Sequence, residues 1–305
     1  MKRLIIVFNP NSTRFLEVER KIIEPARKLK GWMICKFEVK KQEVEKNAEE
    51  LAKIIRKGDL VIAAGGDGTV SMALNAIVKS EKIATLAVGG FGNFNDYAGT
   101  FGEMNLKTMV RRFEEGRYEE LYPLEVKVNK KHYRYVGIYF TVGMFAESTL
   151  VFETKKARKK LYKAKNRLSF SLNKLFKWYL INKWRKNLFP ENVVKNTTFL
   201  EKGTTDYVAL NGERIAELVP AEGWTREPRK FWSGEMRNRS FFRMVFVGAK
   251  ALEGELPGGE TEKDLLVFEK PERVFLHVEG EAEEMMDVKE ILVEKTGAKV
   301  RVIRK

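Results

Sequence analysis
The chain has 305 residues, 44% of them hydrophobic, and a formal net charge of +15. That length is more than one core usually fills, so two domains are expected. One cysteine, Cys35, excludes an internal disulfide and a two-cysteine metal cluster and points to a reducing cytoplasm, and no apolar run reaches membrane-spanning length.

Residues 3–8 predict a buried strand. Its five apolar residues are too few for the hydrophobic region of a signal peptide, and Asn9-Pro10 end the run. Residues 16–29 predict a helix with Val18, Ile22, Ala26 and Leu29 along one stripe. A strand over 32–39 and a helix over 43–56 follow. Residues 59–64 form a short apolar run of strand length, which leads into Gly65-Gly66-Asp67-Gly68-Thr69. The next segment places Val70, Ala73, Leu74 and Ile77 on one helical face. A glycine turn between strand and helix aims backbone N–H groups outward at the positive end of a helix dipole. Glycines also let backbone approach a ligand with no Cβ in the way. This is a seat for phosphate. Residues 83–88 predict another buried strand, running into Gly89-Gly90-Phe91-Gly92-Asn93-Phe94-Asn95-Asp96-Tyr97-Ala98. In a parallel sheet the loops at the carboxyl ends of neighbouring strands face one crevice, so the two glycine loops should meet. A helix over 106–115, stopped by Gly116, completes a doubly wound α/β pattern with a parallel sheet over residues 1–121.

From Leu121 the period becomes two, with Leu124, Val126 and Val128 alternating with charged neighbours. Turn signals recur at Asn211-Gly212, Pro257-Gly258-Gly259 and Glu279-Gly280, so residues 122–305 are expected to form a mainly β domain with one helical insertion. That insertion carries the charge. Residues 155–186 hold thirteen Lys and Arg and no Asp or Glu, and without them the net charge of +15 falls to +2. Leu161, Leu168, Leu172, Phe176, Trp178 and Trp184 interleave with the basic residues. A basic helix with such a face suits an anionic membrane surface, with Lys159, Lys160 and Lys163 among its contacts. A helix packed on its own domain with solvated lysines is the simpler reading. Nucleic acid is not expected, because no binding motif accompanies the charge. His132 and His277 sit beside strand-like sequence and form no constellation, so a hydrolase has no support.

Asn9-Pro10-Asn11-Ser12 after the first strand, Gly-Gly-Asp-Gly-Thr, and the ending Asn95-Asp96-Tyr97-Ala98 together resemble the diacylglycerol kinase catalytic-domain family of soluble lipid kinases. The resemblance covers residues 3 to about 115 and is looser around 138–149 and 273–285. NAD kinases share the Gly-Gly-Asp-Gly-Thr loop, so a NAD kinase-like enzyme and a catalytically silent nucleotide binder remain alternatives. The resemblance implies an ATP-dependent kinase that phosphorylates a lipid hydroxyl, of diacylglycerol or a similar lipid. ATP would lie on Asn9, Gly65, Gly66, Asp67, Gly68, Thr69, Gly92, Asn95 and Asp96. Mg²⁺ would bridge its phosphates, with Asp67 and Asp264 as the metal candidates. Where the family places a proton-accepting Asp in an Asp-Gly-Glu turn, this chain reads Glu279-Gly280-Glu281, so Glu279 would be the base and Glu281 its support. Ser71 and Met72 stand where the family has Asn and Glu, and Asn93 and Phe94 replace a Thr and a Gly of the second loop. The lipid would enter between the domains, at the inner face of the membrane, with a homodimer left open.

Overall fold
The structure, a computed structural model, describes residues 1–40, 44–92, 95–150, 174, 189–190, 192–212, 214–215, 219–220, 228–237 and 258–305. The chain divides into two compact units. One comprises Met1–Pro123 and Thr296–Lys305, and the other Leu124–Lys295.

The first unit opens with β1 (Lys2–Phe8). A helical segment follows, with α1 (Phe15–Val18) passing through a π-helical turn (Glu19–Ile23) into α2 (Glu24–Ala26). Then come β2 (Trp32–Glu38), α3 (Val44–Ile54), β3 (Leu60–Ala64), α4 (Asp67–Ser80), β4 (Thr85–Val88), α5 (Asp96–Phe101), α6 (Leu106–Glu114) and β5 (Glu119–Leu121). The strands β1 to β4 are parallel, in the order β2-β1-β3-β4. Residues on one face of β1 and β3, such as Leu4, Ile6, Leu60 and Ile62, pack with Val18, Ile22, Leu106 and Met109. The opposite face carries α4, which touches β1, β3 and β4 and packs on α3. Because helices cover both faces, β3 is apolar and buried at every position instead of alternating.

The second unit begins with β6 (Leu124–Val128), β7 (Lys131–Val136), β8 (Tyr139–Gly143) and α7 (Met144–Thr149). It continues with β9 (Val193–Lys195), β10 (Thr198–Phe199), β11 (Asp206–Leu210), the short pair β12 (Arg214–Ile215) and β13 (Val219–Pro220), β14 (Phe231–Met236) and β15 (Gly259–Thr261). A long hairpin of β16 (Lys263–Val278) and β17 (Glu281–Lys295) closes it. These strands form a ten-stranded sheet along the path β15-β14-β11-β8-β16-β17-β6-β7, with β9 on β16 and β10 on β9; every pairing is antiparallel. Its core includes Phe140, Val142, Tyr207, Leu276, Val278 and Ile291.

The architecture is thus an α/β unit with a parallel-rich sheet followed by a mainly antiparallel β unit. The end of the chain departs from the expected domain assignment. Residues 296–305, placed by sequence in the β-rich domain, return to the first unit, where β18 (Val300–Val302) pairs parallel with β4 and antiparallel with β5. A strand of alternating Val fits the edge of either sheet, so its period could not assign it. The helix expected over 16–29 ends early, at Ala26, and α4 begins at Asp67, three residues before its apolar stripe. The basic segment 155–186, with Lys159, Lys160 and Lys163, lies outside the described residues apart from Lys174.

Candidate active site
The candidate phosphate seat lies at the carboxyl ends of the parallel strands. β3 ends at Ala64, Gly65 and Gly66 turn the chain, and α4 starts on Asp67, with Gly66 as its extended N-terminal flank. Thr69 N and Val70 N donate back to the Gly66 carbonyl at 2.9 and 3.1 Å, which sets the first turn. Thr69 folds over Gly65 so closely that a Cβ there would lie 2.3 Å from Thr69 Oγ1. Gly65 is therefore required by close packing. A helix leaves its first amides without an intrahelical acceptor, and α4 is long enough, at 14 residues, to carry a full dipole behind them. This cradle fits a phosphate group.

The segment after β4 is fastened to it at several points. Asp67 is buried, and its Oδ1 accepts the Tyr97 N–H at 3.1 Å, tying the start of α4 to the first turn of α5. Asp96 is likewise buried, at the head of α5. The second glycine loop is tied to β3 through Gly89 N to the Ala63 carbonyl (3.0 Å) and Phe91 N to the Gly65 carbonyl (2.8 Å). Within it, Asn95 Oδ1 accepts from Gly92 N at 2.7 Å, so these two predicted ligand residues shape each other. Asn93 and Phe94 lie outside the described residues. After β1, Asn9 Oδ1 accepts the Asn11 N–H at 2.9 Å, an Asx turn that bends the first loop.

Arg14 joins the first and second of these loops, and the sequence reading passed over it. Its guanidinium donates to the carbonyls of Gly90 (3.2 Å) and Gly92 (3.4 Å) and lies over the Phe91 ring. Two further donors grip Glu17, Nε at 2.9 Å and Nη2 at 2.8 Å. Those hydrogen bonds hold the Glu17 carboxyl down at about 2, so the clamp stays ionised at any working pH. The planar fork of arginine serves such a multi-acceptor position. An Arg five residues after Asn9, with Glu three further on, was the available signal.

In the second unit, Glu279 and Gly280 form the two-residue turn between β16 and β17. Both have positive φ, 49° and 90°, as a type I′ hairpin turn requires. Glycine tolerates this readily, whereas a non-glycine residue there is strained unless something holds it. The holds are visible. Glu279 is fully buried and its Oε1 accepts the Ile138 N–H. Ile138 is itself fixed by its carbonyl, which accepts from Asn211 N at 2.6 Å. Gly280 N donates to His277 Nε2 at 3.2 Å. Burial pushes the His277 imidazole down to about 3, so the ring stays neutral and can accept. Glu281 follows on β17 and pairs with Arg134 Nη1 at 2.8 Å. His277, read from sequence as structural, thus braces the turn that carries Glu279.

Asp264 does not fit a metal ion. It is buried on β16, and its oxygens accept from Tyr207 Oη (2.9 Å) and Asn196 Nδ2 (3.0 Å), with Lys195 Nζ at 3.4 Å. Among the described residues no group of three or more His, Cys, Asp or Glu side chains is placed to hold a metal.

Comparison with known proteins matches residues 3–124 to the family model described as the diacylglycerol kinase catalytic domain. Over these residues, less than half of its length, the chain is similar to that family. The chain is similar to a curated diacylglycerol kinase of Bacillus subtilis (strain 168), 32% identical over 111 residues; the match covers 33% of this chain and 34% of that protein, about a third of its length. In fold, the chain resembles a solved diacylglycerol kinase from Bacillus anthracis str. Sterne, at 16% identity and a TM-score of 0.61, covering 100% of this chain and 97% of that one. A second solved chain from the same organism, provisionally named a diacylglycerol kinase, gives 19% identity and a TM-score of 0.67 over 100% of this chain and 97% of that one.

Within the diacylglycerol kinase pattern, two departures fall on α4. Ser71 and Met72 are both buried, and Met72 faces the interior at 2% exposure. An acid at position 72 would need a partner there, and a thioether does not. The change to Glu at 279 is accommodated by the Ile138 amide, which the longer side chain reaches from the same turn.

Proposed function
We propose that the protein is an ATP-dependent lipid kinase that transfers the γ-phosphate to the hydroxyl of diacylglycerol or a similar lipid. The observation that carries this reading is the glycine turn Gly65-Gly66 at the head of α4, stitched through Asp67 to Tyr97, in a segment similar to the diacylglycerol kinase family. The cradle of α4 would hold the triphosphate, and Asn9, Gly92, Asn95 and Asp96 shape the rim around it. Bound Mg²⁺ neutralises phosphate charge and usually keeps several waters beside one or two carboxylates, a role open to Asp67 and Asp96. Glu279 would accept the proton of the lipid hydroxyl, and the Ile138 amide and the His277–Gly280 hydrogen bond would hold the carboxylate for it. Glu281, paired with Arg134, fixes the strand that follows.

The membrane side of the reading rests on sequence alone, namely the uninterrupted basic run over 155–186. Among the described residues no helix is long and apolar enough to cross a membrane. The test is an incubation with γ-labelled ATP, a mixed lipid extract and, separately, NAD. Label in a chloroform-soluble product supports the lipid kinase. Label in NADP alone selects the NAD kinase reading, and nucleotide binding without transfer selects a silent binder.

A further inference from the structure
We propose that the ammonium of Lys195 is a built-in cation that takes the place of a metal ion at Asp264. Four side chains from three strands converge here. Lys195 ends β9, Ser233 and Glu235 lie on β14, and Asp264 lies near the start of β16. Lys195 Nζ donates to Ser233 Oγ at 3.0 Å and Glu235 Oε1 at 3.1 Å, and pairs with Asp264 Oδ2 at 3.4 Å. Two hydrogen bonds and one ion pair thus surround the ammonium, and two of the three oxygens carry charge. The group also lies 5.6 Å from the centre of the Tyr207 ring. Asp264 is 1% exposed and the Lys195 side chain 17%.

The surrounding hydrogen bonds hold the cation in register. Asn196, the next residue, sits at a positive φ of 57°. Its Nδ2 donates to Asp264 Oδ1 at 3.0 Å and its Oδ1 accepts from Leu265 N at 2.9 Å. Tyr207 Oη donates to the other Asp264 oxygen at 2.9 Å. A partly buried, oxygen-rich cluster with two carboxylates suits either a hard divalent ion or a tethered ammonium. Here the position that such an ion would take is filled by Nζ. The cluster forms part of the wall of a cavity of about 490 Å³, so an ion has a way in if the ammonium is removed. The lysine joins the three strands without any dependence on free cation, and this holds whether or not the kinase reading is correct.

The test uses the full chain without nucleotide. Thermal unfolding is followed in EDTA, in Mg²⁺ and in Ca²⁺, and Mn²⁺ binding by electron paramagnetic resonance. The parent and Lys195→Arg, which keeps the charge, are expected to melt at the same temperature in all three solutions. Lys195→Ala leaves Glu235 and Asp264 uncompensated, so its midpoint in EDTA should fall by about 5 °C or more. Divalent cation should restore at least half of that loss, and the variant should bind one Mn²⁺ that the parent does not. Adding Asp264→Asn to Lys195→Ala should abolish the response. A parent stabilised by divalent cation through Asp264, with the effect lost in Asp264→Asn, would overturn the proposal. So would a folded Lys195→Ala protein indifferent to cation. If Lys195→Ala does not fold, the parent and Lys195→Arg decide: indifference in both sustains the proposal, and a response lost in Asp264→Asn sinks it.

Discussion

At the scale of single residues, Glu279 and Arg14 carry different risks. Glu279 is held in a left-handed turn by the Ile138 amide and buried from solvent. Glu279→Gln keeps an oxygen for that amide but cannot accept a proton. We expect a loss of about 10²- to 10⁴-fold in kcat with unfolding midpoint and ATP affinity little changed. Steady-state kinetics beside thermal melting checks this, and a variant within a few-fold of the parent removes Glu279 as the base. Arg14 touches both loops that flank the seat. Arg14→Ala should raise KM for ATP about tenfold while kcat changes less, because the loop carbonyls lose their clamp. Arg14→Lys should recover little, since a point charge cannot reach Gly90, Gly92 and Glu17 at once. A lysine variant equal to the parent would show that charge alone matters. The turns that carry Asp67 and Glu279 were legible in the sequence because glycine turns after apolar strands are local signals. Arg14 and His277 were not, since their partners lie 76 residues downstream in one case and depend on a hairpin turn in the other.

At the scale of elements, α7 shows how a short helix is anchored. Its start is capped by Asp206 of β11, whose Oδ1 accepts the Phe145 N–H while Oδ2 accepts from Thr205 Oγ1 at 2.9 Å. Full burial pushes the Asp206 carboxyl up to about 6 from its ordinary 3.8, against those two hydrogen bonds. The native state therefore keeps a proton that the unfolded chain releases earlier. The contribution of Asp206 to stability falls as pH rises from about 4 to about 6 and is level above that, a change on the order of 3 kcal/mol. Asp206→Asn removes this titration. Urea unfolding at about pH 4.5 and about pH 7.5 should show the parent losing stability relative to Asp206→Asn at the higher pH. A constant difference between the two proteins would contradict the raised value. The strands and helices of the first unit were readable from periodicity, because both-face burial and one-face burial leave distinct patterns. The partner of β18 was not, because an alternating strand does not name its sheet.

At the scale of the whole molecule, two units divide the work proposed for them: the first holds the phosphate seat and the second the carboxylate turn. The charge of the molecule is concentrated in residues 155–186. The protein should co-sediment with vesicles containing anionic lipid, and salt should weaken the binding, since each basic group near the surface contributes about 1 kcal/mol within a Debye length of about 8 Å. Changing Lys159, Lys160 and Lys163 to Gln should reduce it, and equal binding to neutral vesicles would contradict an electrostatic origin. The central claim, that the cradle at Asp67 serves transfer to a lipid, has one direct measurement. Parent and Asp67→Ala proteins are compared for transfer of label from γ-labelled ATP into mixed vesicles containing diacylglycerol, with Mg-ATP thermal shift run alongside. Labelled lipid is expected from the parent, and from Asp67→Ala a folded protein with little label and a reduced thermal shift. An Asp67→Ala protein with the parent's transfer and the parent's shift would contradict that claim.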